Sequence, residues 1–278
     1  MGFHLVGDHF YEPIPNTKLI QKRYKDGYRS CSFIELAFST AERIMLSILD
    51  QWGCEFYDAS KKYGYREKNY YFRGVDAIAL YCLMRDIKPK RIIEIGQGFS
   101  TAVIMASLAN NNRESNFVAE FISIDPYDRL KLKDKKILGV KFVVIRKDLQ
   151  NVPLKIFSSL GESDLLFIDS SHVYKFGSDV ESLFEEIYPN ISKGVYIHIH
   201  DIFSPYHYPL TWYVKEKRFW NEQYYLEIFL RFNSTFTVIM PIHLLIRKSI
   251  LLREKYRALC GYENFKFEGS SFYIKRVG

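Results

Sequence analysis

From residue 91 onward the chain repeats one pattern. A short, nearly unbroken apolar run stops at a Gly or an Asp, and a stretch with helical spacing follows. Arg91 to Ile95 (Arg-Ile-Ile-Glu-Ile) stops at Gly96, Phe121 to Ile124 stops at Asp125, and Leu165 to Ile168 stops at Asp169. Val140 to Ile145 is a further run, and Val195 to His200 stops at Asp201. A strand that is apolar on both faces needs cover on both faces. Strands that alternate with helices join into a parallel sheet through right-handed crossovers. Val75 to Arg85 and Ser100 to Ala109 read as helices, and Val180, Leu183, Phe184 and Ile187 mark one face of another. Thr235 to Met240 and Ser271 to Lys275 supply a sixth and a seventh strand. The expected fold class is α/β: a doubly wound, Rossmann-like, mostly parallel seven-stranded sheet with helices on both faces. Tyr208 to Arg231 is expected as one long helix and Ile246 to Leu259 as a basic one.

The pattern starts near residue 70. Residues 1–69 are therefore expected to be an N-terminal arm and helical extension, and 70–278 the main domain. Pro13 and Pro15 suit an extended arm. Ser32 to Trp52 reads as helical, with Phe33, Ala37, Ile44 and Ile48 near one face. A chain of 278 residues accommodates one large α/β domain plus such an extension.

The net charge is +7, but the Lys and Arg residues are scattered, without a basic block. A nucleic-acid partner is not expected on that ground. Cys31, Cys54, Cys82 and Cys260 show no zinc-like spacing and read as reduced, mostly buried small hydrophobes. The segment Phe236 to Ile246 is the most apolar. It contains Pro241 and His243 and falls short of the ~20 residues a bilayer span takes. With no signal-peptide pattern at the start, a cytoplasmic location is expected. Whether the protein forms a homo-oligomer is left open.

The sharpest local feature is Glu94-Ile95-Gly96-Gln97-Gly98-Phe99-Ser100-Thr101, which follows a strand and opens a helix. Gly96 permits a tight turn, and Gly98 allows close approach of the backbone to a ligand. Ser100 or Thr101 can cap the helix, and the free N–H groups suit a carboxylate or phosphate. The dinucleotide fingerprint G-x-G-x-x-G/A competes, but its third small residue is replaced here by Thr101. An acid two residues before the first Gly fits S-adenosylmethionine (SAM) instead. Glu94 would face the ammonium of the methionine part, and the turn amides around Gln97 would hold its carboxylate. Asp125, at the end of the second strand, can accept both ribose hydroxyls. Asp148 can reach the adenine amino group.

The stretch Gly74-Val-Asp76-Ala-Ile-Ala-Leu-Tyr81, then Lys88-Pro-Lys-Arg-Ile-Ile-Glu94-Ile-Gly96-Gln-Gly98-Phe-Ser100-Thr101, resembles class I SAM-dependent methyltransferases. Leu165-Leu-Phe-Ile-Asp169-Ser-Ser-His172 and His198-Ile-His200-Asp201-Ile-Phe continue the resemblance, which covers roughly residues 70–276. The closest branch is one associated with O-methylation of small molecules and sugars, including bacterial surface polysaccharides. The opening His9-Phe10-Tyr11-Glu12-Pro13-Ile14-Pro15 is similar to that branch too. The resemblance implies SAM as cofactor and a small hydroxylated acceptor, such as a sugar or polysaccharide precursor. Two positions depart from the pattern. Ser170 stands where relatives often have Gly, and His200-Asp201 stands where metal-dependent relatives carry paired acids.

In open α/β sheets ligands bind beyond the carboxyl ends of the strands. Asp169, His172, His200 and Asp201 all fall there. His172 or His200 is the candidate general base, with Asp201 beside them, since imidazole titrates near neutrality. His198 should point away from Asp201 and be structural. A divalent ion on Asp169, His200 and Asp201 is left open, and that donor set suits Mn²⁺, Fe²⁺ or Zn²⁺ more than Mg²⁺. Ser204 to Pro209, Trp212 and the run Asn221-Glu222-Gln223-Tyr224 are expected to form an acceptor pocket or lid, with the N-terminal arm placed to cover it. A nucleic-acid (RNA) methyltransferase is the alternative function, but base-amine methylation commonly uses an Asn/Asp-Pro-Pro-aromatic motif where this chain reads Asp169-Ser-Ser-His172. A non-catalytic SAM- or nucleotide-binding module is the other alternative. The intact Glu94, Gly96, Gly98 and Asp125 argue against it.

Overall fold

The computed structural model describes residues 7, 9, 11–31, 34, 37–116, 118–127, 137, 139–260 and 268–278. Its centre is one seven-stranded sheet, built of β1 (Arg91–Ile95), β2 (Ala119–Ile124), β3 (Val140–Ile145), β4 (Leu165–Ile168), β5 (Tyr196–Ile199), β6 (Phe236–Pro241) and β7 (Phe272–Arg276). The strands lie in the order β3-β2-β1-β4-β5-β7-β6. The first five are parallel, with Ile93 level with Ile122 on one side and Leu166 on the other. β7 runs antiparallel to both of its neighbours, β5 and β6.

Side chains alternate across the pleat and divide the core in two. Ile92, Phe121, Leu165 and Phe167 pack on one face of the sheet. Ile93, Ile95, Ile122, Ile124, Leu166 and Ile168 pack on the other. The first face is covered by α2 (Phe38–Trp52), α3 (Phe56–Lys62), α4 (Gly74–Ile87) and α5 (Phe99–Ser115). Helix α4 lies between sheet and α2, so its residues Gly74 to Arg85 are all buried. Arg85 is fully buried and held by Glu55, Asn111 and Glu114, with its guanidinium 4.4 Å from the centre of the Trp52 ring. Ala41, Met45, Ile48 and Phe56 share one core with Val75 and Ile78, so the line at residue 69 does not separate two cores.

The arm carries α1 (Thr17–Arg23), capped by the Asn16 side chain accepting from the Leu19 N–H. After β4 come α6 (Asp179–Ser182) and a π turn over Leu183–Ile187. Three expected helices differ. The long helix over Tyr208 to Arg231 is instead α7 (Leu210–Val214) and α8 (Glu222–Arg231). Lys217 between them has φ +57°, a left-handed conformation no helix can pass through, and the Arg218 guanidinium lies within 4.7 and 5.0 Å of the Trp212 and Trp220 rings. The basic helix is α9 (Ile242–Lys248) and α10 (Ile250–Cys260), split at Ser249. The Ser249 hydroxyl accepts the Leu252 N–H and starts a new helix, competing with continuation of the old one. The helix expected over Ser32 to Trp52 is found from Phe38, and Ser32, Phe33, Glu35 and Leu36 lie outside the described residues. Among the described residues no helix is long and apolar enough to cross a membrane.

Candidate active site

The strand order reverses between β1 and β4, and there the turns after the two strands part and leave a crevice. A groove of about 450 Å³ opens there, lined by Gly96, Gln97, Asp125, Asp148 and Asp169 among others. Five residues singled out in the sequence therefore meet in one place.

Gly96 has φ +86°, and a Cβ on it would stand 2.4 Å from the backbone oxygen of Asp169. The turn is fixed on both sides. The Gly96 N–H donates to the Ile124 carbonyl at 2.9 Å, and the Asp169 N–H donates to the Ile95 carbonyl at 2.9 Å. Gly98 is different. Its backbone is extended, at φ −170°, and its missing side chain leaves space rather than relieving strain.

Glu94 does not face the groove as expected. It is fully buried, and its carboxylate accepts from the hydroxyls of Ser100 (2.8 Å), Thr101 (2.9 Å) and Ser123 (2.6 Å). The acid two residues before the turn thus ties the start of α5 to β1 and β2. Burial pushes its pKa up to about 7, the three hydroxyls hold it down, and the charge of Asp169 adds to the rise. Ser100, expected as a cap, gives its hydroxyl to this brace. Thr101 Oγ1 accepts the Gly98 N–H at 3.2 Å.

Asp125 is buried at the groove floor. Oδ2 accepts the Gln97 N–H at 2.9 Å and Oδ1 the Tyr127 N–H at 2.6 Å. A carboxylate has about four acceptor positions, so roughly two remain for a ligand's hydroxyls. Gln97 accepts from Arg146 at 2.9 Å through Oε1, and its buried Nε2 has no partner among the described residues. Asp148 is exposed at the rim.

A second cluster stands at the ends of β4 and β5. His172 has φ +61° and is buried. Its Nδ1 is 2.9 Å from Glu222 Oε2, and its Nε2 is 3.3 Å from Asp169 Oδ1 and 3.8 Å from Asp201 Oδ2. Burial alone would lower its pKa. Hydrogen bonds to Asp169 and Glu222 and the charges of Glu222 and Asp201 reverse that and hold it well above the ordinary imidazole value. The Trp220 ring lies 4.2 Å from the imidazole, centre to centre.

His200 is buried too, but its Nε2 donates to the Tyr71 carbonyl at 3.2 Å. Burial lowers its pKa, and the charges of Asp201, Asp169 and Asp76 outweigh that. Asp201 Oδ1 accepts from the Ser270 hydroxyl at 2.9 Å. His198 stacks on Phe167 at 4.1 Å and meets Ser271 Oγ at 2.8 Å, and burial lowers its pKa far below the usual range. It sits inside the fold, as expected of a structural histidine. Among the described residues no group of three or more His, Cys, Asp and Glu side chains is arranged to hold a metal ion. Asp201 Oδ1 lies 3.8 Å from His200 Nε2, and Asp169 and Asp201 both approach His172 Nε2, but His200 Nε2 is engaged by the Tyr71 carbonyl and Asp201 by the Ser270 hydroxyl.

Beside this cluster lies a cleft of about 470 Å³, between the arm and the 207–224 segment. Tyr24, His207, Tyr213, Trp220, Asn221 and Tyr224 line it. Tyr224 Oη lies 2.8 Å from Tyr213 Oη and 3.0 Å from His207 Nδ1. The arm is fastened over it by the Arg29–Glu227 ion pair and by Tyr24 Oη donating to the Tyr208 carbonyl at 3.2 Å. Trp212, expected in the pocket, instead packs edge-on against Trp220 at 5.0 Å. Glu222 as the partner of His172, Ser123 as the partner of Glu94 and Arg29 as the fastening of the arm were not foreseeable. Each pair is brought together by the fold across 29 to 198 residues of chain.

Residues 93–202 match the family model described as a methyltransferase domain. A protein of Archaeoglobus fulgidus described as uncharacterized is 29% identical over 164 residues, which is 56% of this chain and 73% of that one. Among solved structures, the SAH-bound methyltransferase PaMTH1 of Podospora anserina superposes with a TM-score of 0.45 at 14% identity, over 86% of this chain and 96% of that one. The apo form of CalS11, a TDP-rhamnose 3'-O-methyltransferase of calicheamicin biosynthesis, gives 0.36 at 16% identity, over 53% and 69%. TM-scores this low transfer neither a substrate nor a residue's role to this chain.

Proposed function

We propose that this chain, whose residues 93–202 match a methyltransferase domain, is a class I SAM-dependent methyltransferase that methylates a hydroxyl oxygen of a small acceptor, with a sugar or polysaccharide precursor as the class to try first. The residues of the groove fit the cofactor. Asp125 keeps acceptor capacity at the groove floor, and Gln97 carries a buried amide nitrogen without a partner among the described residues. In this reading Asp125 takes the ribose hydroxyls, the turn at Gly96, Gln97 and Gly98 takes the carboxylate, and Asp148 takes the adenine amino group. Glu94 and Ser100 brace the turn from behind. When bound, SAM supplies a methyl group already activated on a sulfonium.

The protein's part is then to orient one hydroxyl and take its proton. Orientation can account for a large share of the rate, with effective molarities of ~10⁵–10⁸ M in the best cases, and a general base adds roughly 10²–10⁴-fold. The observation that carries the reading is the place of His172. Asp169, on its Nε2 side, lines the polar groove, while Trp220, tilted against its ring at 4.2 Å, lines the aromatic cleft. An acceptor seated against Trp220 and Tyr224 thus has its hydroxyl beside Asp169, which takes the proton, while the buried His172, held as the cation between Asp169 and Glu222, fixes that carboxylate. Asp201 supports them from 3.8 Å, and His200, bonded to Tyr71, has a lesser part. The four free cysteines suit the reducing cytoplasm as the setting.

Calorimetric titration with SAM and S-adenosylhomocysteine, on wild type, Asp125→Ala and Gly96→Val, tests the cofactor half. Micromolar binding that both variants lose is expected, and no binding to a folded wild type at millimolar ligand would sink the reading. Transfer of labelled methyl to a panel of hydroxylated sugars tests the acceptor half. Transfer to RNA, with salt-sensitive retention on it, would replace the sugar reading with the nucleic-acid one.

A further inference from the structure

Glu222 reaches His172 across 50 residues of chain and is fully buried. A carboxylate removed from water is destabilising unless its lone pairs are matched. Here the match is incomplete. Oε2 is held by His172 Nδ1 at 2.9 Å and by the Ser170 hydroxyl at 2.8 Å, but the buried Oε1 has no partner among the described residues. A carboxylate kept under those terms suggests a task beyond joining α8 to the loop.

The surrounding contacts indicate the task. The His172 carbonyl accepts the N–H groups of both Asn221 (3.1 Å) and Glu222 (3.2 Å), where α8 begins. Trp220 covers one side of the imidazole. Residues 220–222 therefore grip His172 by backbone and ring together, and hold it at a φ of +61°, a left-handed conformation strained for a residue with a side chain. With Nδ1 committed to Glu222, the ring's only remaining nitrogen is Nε2, and it points at Asp169. The charged groups facing the ring are Asp169, Asp201 and Glu222, with His200 opposing them.

We infer that Glu222 is a positioning residue for methyl transfer: it fixes the His172 ring so that Nε2 is presented to Asp169 at the groove. The inference rests on the proposed role of His172. It deepens that role by naming what orients the ring.

The test is nitrogen-detected imidazole NMR on ¹⁵N-labelled wild type, Glu222→Gln and Glu222→Asp, with the His172 signals identified by their loss in His172→Gln. Wild type should show a slowly exchanging, strongly hydrogen-bonded Nδ1 proton on His172. Glu222→Gln should lose it and shift the Nε2 resonance. Glu222→Asp, shorter by one methylene but still charged, should restore part of it. If Glu222→Gln does not fold, Glu222→Asp decides alone: a displaced Nδ1 signal supports the inference and an unchanged one overturns it. SAM affinity, measured alongside, should be the same in wild type and variants. With an acceptor from the sugar panel, kcat should fall about 10²-fold in Glu222→Gln, the scale of a misplaced reacting group, while KM holds. Unchanged His172 signals, or unchanged kcat in a variant whose signals have moved, would overturn the positioning role. Failure of wild type to bind SAM would instead sink the methyltransferase reading, while the ring signals still decide what Glu222 does to His172.

Discussion

Gly96 and Gly98 look alike in the sequence, and the structure makes them unequal. An alanine at 96 meets two penalties. Its φ of +86° is left-handed, which costs an L residue roughly 1–2 kcal/mol. Its Cβ would also stand 2.4 Å from the Asp169 carbonyl oxygen, against ordinary contact from 3.4 Å. That oxygen belongs to backbone anchored by the Asp169 N–H on Ile95. Overpacking of this kind costs about 1–3 kcal/mol. The sum is about 2–5 kcal/mol, or a melting temperature lower by roughly 5–15 °C for a chain of this size. An alanine at 98 meets neither penalty. The backbone is extended and the nearest atom, Ser100 Oγ, is 3.9 Å away. Stability should stay within about 0.5 kcal/mol of wild type. Thermal melts and urea titrations of Gly96→Ala and Gly98→Ala, side by side, check this. Two variants that melt together, or Gly96→Ala melting within about 1 °C of wild type, would refute the reasoning.

Glu94 titrates at about 7 in the fold against 4.5 ordinarily, so the folded state binds its proton more tightly than the unfolded state does. Its contribution to stability is full below pH 4.5 and lost as pH rises to about 7, roughly 3 kcal/mol in all. Unfolding free energies of wild type and Glu94→Gln should therefore converge or cross over that window, and parallel curves would contradict the burial argument. Asp125→Ala should strand the buried N–H of Gln97, at about 1–3 kcal/mol, and abolish the calorimetric SAM signal. Wild-type affinity in that variant would remove Asp125 from the site. Arg29→Ala leaves Glu227, whose side chain is 8% exposed, without its cation. Arg29 is itself a quarter exposed, so the cost should be about 1–3 kcal/mol. Trypsin should then cut the arm at Lys22, Arg23 or Lys25 faster than in wild type, with SAM affinity unchanged, and equal cutting would mean the ion pair does not fasten the arm.

What could be read from the sequence is what local chemistry specifies. The parallel strands announce themselves because burial on both faces leaves little room for polar residues inside them; Glu94, which needs three hydroxyls to be tolerated, its partner Ser123 and His198 are the buried exceptions, and the edge strand β3 is only half-buried. Strand-end acids such as Asp125 and Asp169 are visible because the chain must leave the sheet there. The direction in which Glu94 points is not local, since Ser123 lies on the neighbouring strand. The break between α7 and α8 is also hidden. Lys217 carries no mark of its left-handed φ, and the apolar spacing continues across it. Glu222 reads as one more polar residue at a helix start until the fold sets it against His172.

The antiparallel strand β7 has a bearing on how the protein is made. It lies between β5 and β6, yet it is the last of the seven in the chain. Synthesis proceeds from the N-terminus, so when residues 236–241 have left the ribosome their partner strand has not. Until residues 272–276 arrive, β5 presents a bare edge and β6 has nothing to pair with. The nascent sheet can close from β3 to β5, around the cofactor groove, well before the other end is joined. The window between those events is when the growing chain is most exposed to pairing with the wrong strand.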